Sequence, residues 1–392
     1  MTENSLISNL MSNNANWREV VESKKIGIYE DDNYILLSYG IGANFNDPIV
    51  KEARGIILDK ETFNVVCWPF NKFGKYDDYY ADDIDWSTAR VQEKIDGSII
   101  KLWYDARANI WRFSSNTQIY IENAKCSNTI TPLYDELKLA TNYKDLEELI
   151  NNDKLNKTYT YIFELVGPDN RMVINYHESR IYHTGTRNNI SGQEYDINIG
   201  ITKPKTYLLT SLDECIDYID LLNRYSDNSI GICTDEGFVV VDANFHRVKI
   251  KAPVYSMLHN IVTGSKKSKR ILLELIDSNR LDIESMCLNY KDIAPFIKYY
   301  DFKYTEVMCK LNRFVNICRK VYIMCGKDKK LLSTKIKDHS FASIAFRSLD
   351  NDLSVKQLLD TSKMGRIDWL LNHIENYDPE NYSYIFDVLN QE

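Results

Sequence analysis

Hydrophobic and polar positions follow different patterns in the two parts of the chain. Between about residues 25 and 250, short apolar or alternating runs recur, and Gly, Asn, Asp or Pro bound most of them. Runs of this kind are typical of strands in antiparallel sheets. The segments with this form are NYILLSYG, ARGIILD, NVVCWPF, GSIIKLWYD, IWRFSS, TYIFELVG, RIYHTGTR, EGFVVVD and RVKIKAP. Helices are predicted between them, from PLYDELKLA through DLEELINN and at SLDECIDYIDLLNRY.

After about residue 255 the apolar positions recur at i, i+3, i+4 and i+7, which is the helical period. The segments with this spacing are SKRILLELIDS, FKYTEVMCKLNRFVNICRKVYIMCG, SVKQLLD and RIDWLLNHIE. We therefore predict an α+β protein with two domains. Residues 1–254 form a domain of antiparallel sheets with flanking helices, and residues 255–392 form an all-helical domain.

Composition indicates a globular protein outside the membrane. The chain has 392 residues, of which 44% are hydrophobic and 27% are charged, and it holds no apolar run of membrane-spanning length. Its first twenty residues have neither a basic region nor an apolar stretch typical of a signal peptide. We therefore expect a cytoplasmic protein.

The net charge of −8 is unevenly distributed. From Tyr255 onward there are 21 Lys and Arg residues against 18 Asp and Glu residues, so the excess of negative charge lies in the first part. Two basic clusters, Lys266–Arg270 and Lys327–Lys337, occur in the later part. Either cluster could contact phosphate, although basic clusters are more commonly solvated faces.

The segment Glu93-Lys94-Ile95-Asp96-Gly97-Ser98 precedes a strand-like run and could present a lysine amine into a pocket. A lysine acts as a nucleophile only after losing its proton, which burial and neighbouring cations favour. Taken alone, the motif also fits a hairpin turn with a surface lysine. Its interpretation therefore depends on which other motifs accompany it.

Three later segments accompany it: Phe163–Gly167 (FELVG), Asp235–Val240 (DEGFVV) and Val248–Lys251 (VKIK). Strand alternation places Lys249 and Lys251 on one face, with Val248 and Ile250 towards the core. Two ammonium groups on one face suit a phosphate, and we expect them to lower the pKa of a nearby Lys94. The alternative is an amphipathic strand with a solvated basic face.

The order and spacing of these motifs resemble the covalent nucleotidyltransferases, and within them the phage-type RNA ligase 1 family. ARGII at 53–57, PFNKF at 69–73, the stretch 163–189 with Arg187, and KIKAPVYSMLH at 249–259 are all similar to that family. The resemblance covers about residues 35–260. Two positions depart from the family pattern: Gly74 stands where relatives have an aromatic residue, and Ser115 stands where they have a basic one.

The resemblance implies an ATP-dependent enzyme that joins RNA ends carrying a 5′-phosphate and a 3′-OH. Lys94 would be the nucleophile that carries AMP, and RNA carrying AMP would be a second intermediate. The cofactors implied are ATP and Mg²⁺, with Mn²⁺ as an alternative. Tyr39, Arg54, Lys72, Lys94, Glu164, Lys249 and Lys251 would bind ATP; Lys94, Glu236, Lys249 and Lys251 would be catalytic; Glu236 and Asp282 would hold metal.

The resemblance also implies that the helical domain selects RNA, with a cleaved tRNA as the hypothesis, and no obligate protein partner is expected. A DNA ligase or capping enzyme is the first alternative, but those enzymes usually append a β-rich OB-fold domain. The second alternative is a non-catalytic protein that binds RNA ends. A viral or phage origin is compatible with the Asn-, Ile-, Lys- and Tyr-rich composition.

Overall fold

A computed structural model describes residues 5–127, 129–225, 235–262, 268–278, 283–291, 293–350 and 353–375. Among these, the residues up to 256 form one compact unit and those from 257 onward form a second. The predicted α+β class is confirmed, because the first unit contains antiparallel sheets and the second contains helices. The functions assigned to domains 1–254 and 255–392 stay predictions.

The described strands of the first unit form three antiparallel sheets. The first sheet has the order β1-β2-β3-β4, the second β10-β9-β8-β6-β7, and the third β11-β5-β12-β13. The strands are β1 (Ile26–Glu30), β2 (Tyr34–Tyr39), β3 (Arg54–Asp59), β4 (Val65–Cys67), β5 (Arg90–Glu93), β6 (Ser98–Asp105), β7 (Ile110–Ser114), β8 (Tyr159–Val166), β9 (Arg180–Asn188), β10 (Glu194–Tyr195), β11 (Thr206–Tyr207), β12 (Gly237–Val241) and β13 (Arg247–Lys251).

Helices flank these sheets and then make up the second unit. Helices that begin before residue 257 are α1 (Leu6–Asn13), α2 (Trp17–Ser23), α3 (Pro48–Glu52), α4 (Leu133–Leu139), α5 (Tyr143–Asn151), α6 (Leu212–Tyr225) and α7 (Pro253–Val262). The later helices are α8 (Ser268–Asp277), α9 (Ile283–Asn289), α10 (Ala294–Met324), α11 (Lys329–Ile336), α12 (Ala342–Arg347), α13 (Val355–Asp360) and α14 (Arg366–Glu375). None of the described helices is long and apolar enough to cross a membrane.

Packing of the third sheet positions the chemical groups. Strand β12 lies between β5 and β13, so the segment after β5 and the carboxyl end of β13 meet at the start of β12. Phe238, Val240 and Ile250 are buried and hold these strands against the core. The Lys94 amide donates to the Gly237 carbonyl at 2.9 Å, which extends the pairing by one residue.

Most of the elements predicted from periodicity are present, with two differences at boundaries. The helical stretch after Leu133 is two helices, because the chain turns between α4 and α5 at residues 140–142. The long helix predicted from Phe302 begins eight residues earlier, at Ala294, with Pro295 in its first turn. Proline is tolerated there because the first amides of a helix have no partner within it.

Candidate active site

A buried carboxylate lies between two lysines at the start of β12. Glu236 has only 3% of its side chain exposed, and it accepts from Lys94 Nζ at 2.7 Å and from Lys251 Nζ at 2.8 Å. Burial disfavours the charged carboxylate, but the two ammonium groups outweigh it and lower the pKa of Glu236. The structure thus brings together three of the residues singled out from sequence: Lys94 just after β5, Glu236 just before β12 and Lys251 at the end of β13.

Lys249 lies on the same strand face as Lys251, as the alternation predicts. Val248 and Ile250 are buried, while the two lysines are partly exposed. No carboxylate among the described residues pairs with Lys249. Burial, followed by the nearby cations Lys72, Lys251, Lys94 and Arg54, lowers its pKa to about 6. A buried cation site without a counter-charge is suited to an anion such as phosphate.

The expectation that the pKa of Lys94 would be lowered is wrong for this arrangement. Burial does act in that direction, but the carboxylates of Glu236, Glu164 and Asp96 favour the ammonium form and raise the pKa of Lys94. The expectation rested on the two neighbouring lysines, whereas in the structure Glu236 is the direct partner of Lys94. A nucleophilic Lys94 therefore requires the charge of Glu236 to be neutralised or moved.

Glu164 lies on β8 beside the loop that carries Lys94. Burial raises its pKa to about 7, and Glu236 and Asp96 add to this shift, while Lys94 and Arg54 oppose it. At neutral pH this side chain is therefore divided between its protonated and charged forms. A carboxyl group in this state can both donate and accept hydrogen bonds, which suits contact with a sugar hydroxyl.

Arg54, Lys72 and Tyr39 are held among aromatic rings. The Arg54 guanidinium carbon lies 4.9 Å from the centre of the Phe70 ring and 5.1 Å from that of Phe73. Lys72 Nζ lies 5.4 Å from the Tyr39 ring. These contacts orient the cations without using their hydrogen-bond donors. The Nε atom of Arg54 is buried and has no hydrogen-bond partner among the described residues.

A backbone link places Lys72 and Phe73 beside the K-x-K strand. The Lys249 amide donates to the Gly74 carbonyl at 3.0 Å, and Lys75 forms a parallel bridge with Lys249. The surroundings of Gly74 explain one departure from the family pattern, the missing aromatic residue at position 74. A side chain at position 74 would meet Asp78 and the Tyr80 ring at about 3.1 Å, so those residues occupy the space that it would need.

Asp96 fixes the loop that carries Lys94. One carboxylate oxygen accepts from the amides of Val173 at 2.9 Å and Ile174 at 2.7 Å. The other accepts from the Tyr255 hydroxyl at 2.6 Å. Lys251 Nζ lies 4.8 Å from the Tyr255 ring, so Tyr255 contacts both the nucleophile loop and the K-x-K strand.

A cavity of about 490 Å³ opens beside Lys94. Its walls include Arg54, Phe73 and Glu164, together with a polar segment that contains Ser115 and Asn116. The Asn116 Oδ1 atom is buried without a hydrogen-bond partner. The Ser115 hydroxyl instead accepts from the Gln118 amide at 3.1 Å and so shapes the turn. The cavity offers donors, acceptors and aromatic surface to a nucleotide-sized ligand.

Sequence reasoning missed Lys101, which is fully buried on β6. Its Nζ donates to the Gly55 carbonyl at 2.5 Å, next to Arg54. Burial lowers its pKa to about 8, and the nearby Arg54 cation adds to this shift. A signal was present in SIIKLWYD, because a lysine within a strand of consecutive apolar residues indicates a buried cation.

Arg187 makes structural contacts, and the role of Asp282 stays a prediction. Arg187 is buried and donates to the carbonyl groups of Gly192 at 2.7 Å and Pro69 at 2.9 Å, and to the Asn71 side chain at 3.0 Å, so it acts as a structural clamp. Asp282 lies outside the described residues. Within the described part of the chain, no group of three or more His, Cys, Asp or Glu side chains could by itself hold a metal ion.

The fold and this site define a protein with antiparallel sheets and a buried lysine–glutamate–lysine cluster beside a cavity. A family model described as RNA ligase, of the phage T4 RNA ligase 1 type, matches residues 52–255. That is more than half of the chain and includes Arg54, Lys94, Glu164, Glu236 and both lysines of the K-x-K strand. The chain belongs to this RNA ligase family.

Curated relatives include viral proteins. The chain is 28% identical over 293 residues to an Autographa californica nuclear polyhedrosis virus protein assigned as a bifunctional polynucleotide kinase/RNA ligase. That match covers 70% of this chain but only 40% of the relative. An RNA ligase of Rhodothermus phage RM378 is 25% identical over 380 residues, covering 81% of this chain and 85% of the relative.

Solved structures similar to the chain include an archaeal ATP-dependent RNA ligase. The match covers 95% of this chain and 97% of the archaeal chain, at 12% identity and a TM-score of 0.43.

Proposed function

We propose that the protein is an ATP-dependent RNA ligase that seals RNA ends bearing a 5′-phosphate and a 3′-OH. The observation that carries the proposal is the Glu236 carboxylate held between Lys94 at 2.7 Å and Lys251 at 2.8 Å. It brings a lysine that would act as the nucleophile, a second lysine that would bind phosphate and a carboxylate into one buried cluster. Membership of the RNA ligase family supports RNA as the substrate class.

Different cations of the site would bind different phosphates of ATP. Lys249 and Lys251 share one strand face and would hold the α-phosphate. Arg54 and Lys72, oriented by aromatic rings, would bind the β- and γ-phosphates and orient the pyrophosphate as it leaves. Tyr39 supports Lys72, and Glu164 would contact the ribose. Charge that develops on phosphate oxygens is stabilised most strongly by donors fixed in advance.

The donor set at Glu236 fits a hydrated divalent cation. The carboxylate is charged because the pKa of Glu236 is lowered, and Mg²⁺ in proteins keeps several waters and needs few protein ligands. Mn²⁺ is an alternative, and Asp282 stays a proposed second ligand. When bound, such a cation would neutralise Glu236, which is the main source of the raised pKa of Lys94.

Three transfers follow in sequence. The Lys94 amine, having lost a proton, attacks the α-phosphorus of ATP, so an N–P bond forms and pyrophosphate leaves. An oxygen of the RNA 5′-phosphate then attacks the same phosphorus, and the N–P bond breaks as Lys94 regains a proton. Finally the RNA 3′-OH loses its proton and attacks the activated 5′-phosphate, forming the phosphodiester and releasing AMP.

Labelling with α-³²P-ATP and Mg²⁺, followed by denaturing electrophoresis, tests the first transfer. Wild-type protein should retain label, and Lys94→Ala should retain none. Lys144→Ala is the matched control, because Lys144 is an exposed lysine on α5, and it should label like wild type. Absence of label on the wild type would favour a non-catalytic protein that binds RNA ends, and equal label on Lys94→Ala would overturn Lys94 as the nucleophile.

Substrate class is tested by sealing assays. Single-stranded RNA, nicked DNA and cleaved tRNA with 5′-phosphate and 3′-OH ends should be compared at equal concentration. We propose RNA over DNA, because the chain continues after β13 with helices rather than an OB-fold throughout the described residues from 253. We further propose tRNA repair, with the helical domain 255–392 selecting the RNA. Preferential sealing of nicked DNA would instead identify a DNA ligase.

A further inference from the structure

The 31-residue helix α10 carries an exposed stripe of cations and apolar side chains. We define the α10 stripe as Lys298, Phe302, Cys309, Lys320 and Met324. All of these residues are exposed, with 64% exposure for Phe302 and 80% for Met324. In an α-helix each residue advances by about 100°, so Phe302 and Lys320, 18 residues apart, lie on the same face after five turns. The residues of the stripe therefore lie along one face of the helix.

Charge on α10 is strongly one-sided. The helix contains six Lys and Arg residues but only Asp301 and Glu306 as acidic residues. The Glu306 carboxylate pairs with Lys303 at 2.9 Å and with Lys310 at 2.8 Å. These ion pairs lower the pKa of Glu306 and balance its negative charge. Among the described residues, Lys298 and Lys320 have no carboxylate partner. The stripe therefore presents positive charge to solvent.

The basic clusters expected from sequence to contact phosphate are less suited to it. Arg270 pairs with Glu274 at 3.0 Å and also with Asp368. Lys329, within the second cluster, pairs with Asp350 at 2.6 Å. The other lysines of the second cluster, Lys327, Lys330, Lys335 and Lys337, have no carboxylate partner among the described residues. Neither cluster contains an aromatic side chain, however, whereas the stripe carries the exposed ring of Phe302 between its cations. Lys266 and Lys267 lie outside the described residues.

We propose that the α10 stripe is the surface on which the helical unit docks its RNA. Phosphates would contact Lys298 and Lys320, which are about 33 Å apart along the helix at 1.5 Å per residue. An exposed aromatic ring between such cations, here Phe302, is suited to stacking on an unpaired base. RNA is favoured over a protein partner because the stripe combines a single sign of charge with this ring. The inference rests on the proposed RNA ligase function.

Charge reversal tests the docking surface on the full chain. The double variant K298E/K320E should bind a fluorescent 5′-phosphorylated RNA roughly tenfold more weakly, with a salt slope shallower by about one to two. Phe302→Ala should weaken binding by about fivefold or more, because base stacking is lost. The control pair K144E/K154E reverses two lysines on and just after α5, and it should leave RNA binding close to wild type.

Formation of the lysine–AMP adduct from ATP and Mg²⁺ in the absence of RNA separates this inference from the proposed function. The stripe variants should form the adduct at the wild-type rate, since they leave Lys94 and its partners intact. Equal RNA affinity and salt slope in K298E/K320E and the control pair would overturn the docking surface and leave the stripe to a protein partner. An unlabelled wild type that still binds RNA through the stripe would overturn only the ligase proposal.

Discussion

The same arrangement of charges occurs in both units, with different surroundings. In the sheet unit, Glu236 accepts from Lys94 and Lys251; in the helical unit, Glu306 accepts from Lys303 and Lys310. All four distances lie between 2.7 and 2.9 Å. The exposed fraction of the carboxylate is 3% for Glu236 but 23% for Glu306. Distance alone therefore does not distinguish a chemical site from a surface ion-pair network.

Burial makes the difference. Around Glu306, water screens the charges, and i,i+3 and i,i+4 pairs on a helix contribute only a few tenths of a kcal/mol, about 0.5 at most. Around Glu236, burial penalises the charged form of each group, so its charge depends on its partners. The pKa values of Glu236 and Lys249 are lowered, whereas that of Lys94 is raised. The sheet unit concentrates charge where it can act on a substrate, whereas the helix displays charge that can attract an anion.

Replacing each carboxylate should give the largest contrast. We expect Glu236→Gln to slow lysine–AMP formation by about 100-fold or more, because the proposed carboxylate ligand of the divalent cation is lost. Its free energy of unfolding should fall by about 2 to 4 kcal/mol, since two largely buried lysines lose their counter-charge. Single-turnover labelling and chemical denaturation measure the two effects.

Glu306→Gln is the matched control for this experiment. It removes a carboxylate that also bridges two lysines, and it should change the free energy of unfolding by about 0.5 kcal/mol or less. The labelling rate should stay at the wild-type value. Equal losses of stability in the two variants would contradict the argument that burial separates them.

The fold was predicted well from sequence because its signals are local. Strand alternation and the helical period depend on neighbouring residues, and the K-x-K face of β13 followed from alternation alone. The raised pKa of Lys94 and the role of Lys101 could not be predicted in the same way. Both depend on contacts between residues 46 or more positions apart, and periodicity carries no information on such contacts.

Lys101 gives a second contrast, between a buried cation and an exposed one. Replacing it by Met removes the hydrogen bond to the Gly55 carbonyl and loosens the segment that carries Arg54. We expect the KM for ATP to rise about fivefold, with a smaller change in kcat, because about 1 kcal/mol of positioning is lost. The free energy of unfolding should change little, since an apolar side chain of similar length replaces a buried amine that has no carboxylate partner among the described residues.

Lys298→Met on α10 is the corresponding exposed substitution, and it should leave the KM for ATP unchanged. Steady-state measurement of lysine–AMP formation at varied ATP concentration compares the two variants. An unchanged KM in Lys101→Met would limit Lys101 to a structural role.

The smallest expected effect is a dependence of nucleotide binding on pH. The pKa of Lys249 is lowered to about 6, so above that pH the side chain is mostly uncharged. A bound triphosphate favours the ammonium form and raises this pKa, so binding takes up a proton. Affinity should therefore fall as pH rises above about 6, by at most about tenfold per pH unit.

Calorimetry at pH 8 with a non-cleavable ATP analogue, in buffers of different protonation enthalpy, counts the protons. Lys249→Met should take up fewer protons than wild type, whereas Glu164→Gln, which removes the carboxyl group of pKa about 7, should retain most of the uptake at this pH. Equal uptake in Lys249→Met and wild type would show that Lys249 is charged before the nucleotide binds.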